Sequence, residues 1–225
     1  MSLIVEQRSS ESPYVESVTR GWTVADGAPI RPAESHWHMV FARFAGAARA
    51  IAVGPLTTAG TARWSAGAEV LWIKFRLGTF MPHLPTRDLT DGETILPGAA
   101  GQSFWLKGSI WQIPGFEDVE TFVSRLVHDE ILVHDPVVGE ALQGRPRLMS
   151  PRTLRHRFLQ AAGLPQNQIF QIQRAQRAAE LLEGGTPILD AVQEAGYFDQ
   201  PHLTRALKQW VGRTPGEIAH PASAL

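Results

Sequence analysis

No cysteine occurs among the 225 residues, which excludes disulfides, thiolate metal sites and cysteine nucleophiles. No apolar run approaches the roughly 18 residues of a membrane span, so no membrane partner is expected. The opening "MSLIVEQRSSESPYVES" has no basic stretch leading into an apolar one. Secretion is therefore not expected, and with the missing thiols a cytoplasmic setting is. Catalytic signatures are missing too: there is no GxSxG, no Walker loop and no GxGxxG placed between a strand and a helix. Glu69, Asp88 and Glu93 could be imagined as an acid/base group, but nothing in their spacing brings them together. Neither an enzyme nor a bound cofactor is expected. Excess charge is absent as well, since 21 Lys and Arg against 22 Asp and Glu leave a formal net charge of −1. A uniformly basic nucleic-acid binder is thereby argued against, and any such function must rest on a local patch.

Such a patch is present. Across "RPRLMSPRTLRHR" stand Arg145, Arg147, Arg152, Arg155 and Arg157, with His156 and no acid. Between positions 116 and 140 acids dominate: Glu117, Asp118, Glu120, Asp129, Glu130, Asp135 and Glu140. A basic segment beside an acidic one suits a localised anion-binding face, and equally a solvated helix face.

Residues 1 to 115 read as strand-rich. "HWHMVFARF" and "AEVLWIKFRLG" alternate or run apolar with aromatic and β-branched residues, and "RAIAVGP" and "GTARWSAG" are shorter candidates bounded by glycine and proline. "MPHLPTRDLTDGETILPGAAG" reads as loop. Trp22, Trp37, Trp64, Trp72, Trp105 and Trp111 all lie here, a density that builds a core or lines a small-molecule pocket. From "FEDVETFVSRLVHDEIL" onward the periodicity is helical. "DPVVGEALQG" has Asp135 as N-cap, Pro136 in the first turn and Gly144 as stop; "SPRTLRHRFLQAAG" repeats this with Ser150, Pro151 and Gly163. "QIFQIQRAQRAAELLEGG", "PILDAVQEAG" and "DQPHLTRALKQWVG" follow. Strands and then only helices predict an α+β chain of two modules: a β-rich, barrel-like module over 1–130 with a helical tail, and an all-α domain over 131–221.

The last two helices carry the sharpest pattern. Ile188, Leu189, Val192 and Ala195 predict an apolar stripe, and Gly196 predicts a reversal of the chain. Tyr197 and Phe198 are expected beneath the turn. Asp199 caps a helix with an apolar face of Leu203, Ala206, Leu207 and Trp210, while Gln200, His202, Arg205 and Gln209 face away. Two helices joined by a short glycine-containing turn are the helix-turn-helix plan. Gln and Arg can read adenine and guanine edges bidentately, whereas Thr204 and Lys208 are placed for phosphates.

"GYFDQPHLTRALKQWVGRTPGEI" closely resembles the second helix-turn-helix signature of AraC/XylS-type transcription regulators. "SPRTLRHRFLQAAGL" resembles that family's first recognition helix, and "IQRAQRAAELLEGG" its long central helix; the resemblance covers roughly 135–221. It implies a sequence-specific DNA-binding regulator of bacterial type, with double-stranded DNA as partner. Carried over, Gln200, His202 and Arg205 read bases and Thr204 and Lys208 touch phosphates. On the first helix Arg152 and Arg155 contribute mainly phosphate affinity or weaker readout, and Thr153 and His156 are DNA-binding candidates beside them. The first unit departs from the family: it is shortened upstream, His156 stands where arginine is usual, and Arg157 where an apolar residue is. The resemblance also implies that the first module senses a small-molecule effector or associates as a homodimer, and leaves both open.

That first module holds no sharp motif. His36 and His38 alternate along a strand, and His83 could add a third imidazole, but no carboxylate follows at cupin spacing. Satisfied or surface histidines are expected there and at His128 and His134, and no metal. A second reading stays open: a small-molecule-binding or enzymatic β-barrel whose helical appendage no longer binds DNA.

Overall fold

A computed structural model describes residues 2–99, 101–145 and 148–220. Arg147 of the basic stretch lies outside the described residues. The described part forms two compact units. The strand-rich N-terminal region and helical C-terminal region bear out the α+β class. The units divide at Pro165/Gln166, elsewhere than the expected 130/131 boundary, and the second also takes in Pro29–Ser35 and Leu56–Ala62.

The first unit is built on a six-stranded antiparallel sheet in the order β1 (Leu3–Ser9), β2 (Val15–Thr23), β7 (Glu69–Phe75), β4 (His38–Phe44), β5 (Ala47–Val53), β9 (Glu93–Leu96). Register carries Val18, Ile73 and Met39 across one face in a row, with Leu71, Phe41 and Ala50 in the next. All six are buried. Against them pack α1 (Val119–His128), through Val119, Phe122, Val123 and Leu126, and the hairpin of β10 (Ser103–Leu106) with β11 (Ser109–Gln112). Phe41, Phe104, Trp111 and Phe122 meet at centroid distances of 5.6 to 6.4 Å, within the range of favourable aromatic contacts. Trp37 stacks on Phe75 at 4.1 Å and donates its indole N–H to the Thr79 carbonyl at 2.6 Å. Trp37 and Trp111 are thus core residues, while Trp22 and Trp105 are exposed.

Strands β1, β2, β10 and β11 escape the sequence reading. β1 is largely exposed along its length and so shows no alternation, and a register shift between Val15 and Ser17 breaks the alternation of β2. The segment read as loop after Phe80 contains a 3-10 turn, Thr86–Leu89, and β9. "GTARWSAG" yields only the two-residue β6 (Gly60–Thr61) and a bridge at Trp64.

The helical punctuation is realised. In α2 (Pro136–Leu142) the Asp135 carboxylate accepts the Val137 N–H, and in α3 (Pro151–Ala162) the Ser150 hydroxyl accepts the Thr153 N–H. Gly163 ends α3 at φ +74°, a conformation only glycine adopts freely. Both helices belong to the first unit. The Thr86 and Thr90 hydroxyls donate to the Ala161 and Gly163 carbonyls, and β8 (Thr79–Phe80), which pairs with β12 (Val133–His134), also touches α3.

The second unit holds α4 (Gln166–Glu183), α5 (Ile188–Glu194), α6 (Gln200–Trp210) and α7 (Pro215–Ala219). Its core joins Ala175, Ala178 and Leu182 of α4 to Ala191 and Val192 of α5, Leu203, Ala206 and Leu207 of α6, and Ile218 of α7. The alanines let the helices approach closely. α7 starts with a reciprocal capping box between Thr214 and Glu217.

Candidate nucleic-acid interface

The turn between α5 and α6 is made by Gly196 at φ +72°, followed by Tyr197, Phe198 and the cap Asp199. Asp199 accepts the His202 N–H at 2.7 Å, as a capping carboxylate should at a helix N-terminus. Arg174 of α4 braces the turn. Its guanidinium lies over the Tyr197 ring at 4.3 Å and donates to Gln171 at 2.6 Å and to the Gly196 carbonyl at 3.4 Å. Burial pushes the Tyr197 hydroxyl up from its ordinary pKa, with Arg174 opposing the rise.

The two aromatics part company here. Tyr197 is 6% exposed and Phe198 is 91% exposed, so only the first lies beneath the turn as expected. Phe198 precedes the N-cap, where an apolar residue ordinarily packs on the fourth helical residue. That residue, Leu203, is already fully buried and offers no surface to cover. Leu189 likewise leaves its expected stripe and is exposed; Ala191 takes the place, with Val192 and Ala195.

At about 100° per residue, Leu203, Ala206, Leu207 and Trp210 share one side of α6. Arg205 and Lys208 point away from it and are exposed, as is Gln200 in the first turn. His202 stands at the border, half-buried, with its ring edge-on to Tyr197 at 5.1 Å. The Thr204 hydroxyl donates to the Gln200 carbonyl at 2.9 Å, so a phosphate would compete for that proton. The structure thus brings Gln200, Thr204, Arg205 and Lys208 together on the outward side of one helix, with His202 beside them.

On α3, Arg152, Thr153, Arg155 and His156 are exposed. Arg157 is different: it donates to both Asp135 carboxylate oxygens at 3.0 Å, tying α3 to the cap of α2. This explains an arginine at a position where the resemblance has an apolar residue. Arg152, Arg155, Arg205 and Lys208 make no salt bridge among the described residues, although Arg8, Arg43, Arg76, Arg157 and Arg213 all do.

Among the described residues no group of three or more His, Asp or Glu could hold a metal ion. His83 and His134 are both held below the ordinary imidazole pKa, chiefly by burial; Lys107 adds to this at His83, and Asp135 opposes it at His134. No helix among the described residues is long and apolar enough to cross a membrane.

Helices α5 and α6, with their glycine turn, capped second helix and outward cations, define a DNA-binding helix-turn-helix. A family model described as a helix-turn-helix domain matches residues 148–220. That segment is an AraC-type helix-turn-helix domain. No curated protein and no solved structure matches the chain.

Proposed function

We propose that this chain is a sequence-specific transcription regulator of AraC/XylS type that reads double-stranded DNA mainly through α6. Arg205 and Gln200 meet base edges, and His202 presents the side of its ring that Tyr197 leaves free. Lys208 and Thr204 contact phosphates. Arg152, Thr153, Arg155 and His156 of α3 add backbone affinity, and the DNA-binding part comprises residues 131–221. The observation that carries this reading is the set of exposed cations without salt bridges on α3 and α6, in a chain whose net charge is −1. Unpaired cations on two helices supply the local positive field that the whole chain lacks.

Ligand responsiveness is the finer part of the proposal, with residues 1–130 as the sensing or association module. The strand-rich unit has a half-open cleft of about 80 Å³ lined by Arg20, Phe41, Arg43, Glu69, Leu71 and Phe116. A small-molecule effector seated in this cleft would raise the melting temperature.

The deciding experiment is in vitro selection of random duplex DNA by the full chain and by Arg205→Ala. An enriched motif that relaxes at one position in the variant, by about 1–3 kcal/mol of discrimination, is expected. Absence of any enriched motif with the wild-type protein would overturn the proposal.

A further inference from the structure

The unit that holds the helix-turn-helix contains two segments from far upstream. Ile30–Arg31 forms β3, which pairs with β6 as Ile30 opposite Thr61 and Arg31 opposite Gly60. Two hydrogen bonds between Glu34 and Leu56, at 3.1 and 2.7 Å, and one from the Ala62 N–H to the Pro29 carbonyl, at 3.1 Å, complete a small ribbon. It meets the C-terminal end of α6. The Ala59 N–H donates to the Gln209 carbonyl at 2.8 Å, and the Ala33 N–H donates to the Trp210 carbonyl at 2.7 Å.

A helix leaves its last four carbonyls without intrahelical partners. Here two of them are taken by main-chain donors from two separate segments. Main-chain donors have no side-chain torsions with which to drift, so they hold the helix end in one place. A third point comes from α4, where Gln176 donates its side-chain amide to the Ala33 carbonyl at 2.9 Å. The close fit extends to Gly212, just past the helix: a Cβ there would stand 2.6 Å from Ile30 Cγ2 and 3.1 Å from Ala59 Cβ, and its φ of +81° favours glycine as well. Gln209 and Trp210 lie four and five residues beyond Arg205, which is about 6–7.5 Å along the helix axis.

We propose that the ribbon is a positioning element for DNA reading: it sets the rise and roll of α6, and so decides which base edge Arg205 meets. The site that reads DNA is then completed by residues 29–35 and 56–62, outside the matched 148–220. The inference rests on the DNA-binding reading above. Bidentate contacts tolerate displacements of only about half an ångström. A loosened ribbon should therefore cost discrimination before it costs overall affinity.

The test uses the full chain, the duplex enriched by the wild-type protein and a scrambled duplex of equal composition, with dissociation constants from fluorescence anisotropy. The variants are Ala59→Pro, which removes the donor to Gln209, and Gln176→Ala, which removes the bond to Ala33 and keeps the question open to measurement where the proline disturbs folding. The ratio of the two constants is expected to fall about five- to tenfold, roughly one base contact, with scrambled-duplex affinity unchanged. A ratio unchanged in both variants would overturn the positioning role while leaving DNA binding intact. Equal weakening on both duplexes, following the loss of thermal stability, would overturn it too, since that marks a ribbon that only supports the fold. Should the wild-type protein enrich no duplex, the DNA-binding reading falls first and the inference with it.

Discussion

Tyr197 and Phe198 are adjacent aromatics with opposite surroundings, and the difference has a measurable consequence. Tyr197 packs under Arg174 and beside His202, so Tyr197→Ala leaves a cavity in a core of alanines and should cost about 3–5 kcal/mol, read by urea unfolding. Phe198→Ala removes a ring that touches almost nothing and should change stability by no more than about 0.5 kcal/mol. Equal losses in both variants would contradict this placement. Arg174 also explains why one aromatic is taken inward, because its guanidinium lies over the Tyr197 ring alone. Nothing within positions 194–200 encodes that choice; the partner stands more than twenty residues upstream.

Two ion pairs act at the scale of whole elements. Arg8 of the edge strand β1 forks onto Glu120 at 2.7 and 2.8 Å, and Ser10 adds a third bond at 2.6 Å, which fastens the strand to the first turn of α1. The Arg8 guanidinium, helped by Ser10, holds the Glu120 carboxyl at a pKa of about 2 against an ordinary 4.5. A depressed carboxylate pKa stabilises the fold above pH 4.5, and the contribution fades as pH falls toward 2. Because both side chains are about a third exposed, screening reduces it to roughly 1–2 kcal/mol. Glu120→Gln should therefore be less stable than wild type by that amount at neutral pH, and the two curves should converge near pH 2 in an acid titration followed by circular dichroism. Asp135 has a double task, capping α2 and receiving Arg157 of α3. Asp135→Ala is expected to lose about 1–2 kcal/mol, mostly the cap, while Arg157→Met should lose under about 1 kcal/mol because that side chain is partly exposed. Thermal melts of the two variants decide the order.

For the molecule as a whole, a net charge of −1 leaves no general attraction to DNA, so the proposed binding has to rest on a local patch, for which the outward faces of α3 and α6 are the candidates. Each cation that meets a phosphate releases counterions. Lys208→Ala and Arg152→Ala should each lower the slope of log K against log salt by about one unit without altering the selected motif. A slope that stays the same in both variants would place the contact surface elsewhere.

Helix limits and caps were legible along the chain because their signals are local. Asp135, Ser150 and Asp199 each accept an N–H two or three residues ahead, and the prolines and glycines beside them restrict the backbone in place. The two central strands, β4 and β7, showed in their apolar runs, whereas exposed β1 and bulged β2 had no periodicity to show. The outward residues of α6 followed from spacing alone, since a capped helix with one apolar stripe has only one side left to face solvent. The ribbon of 29–35 and 56–62 left no trace in composition, because its bonds to Gln209 and Trp210 use main-chain groups that every residue but proline carries. Local chemistry therefore determined which helix faces outward, and only the folded chain decided what holds its far end.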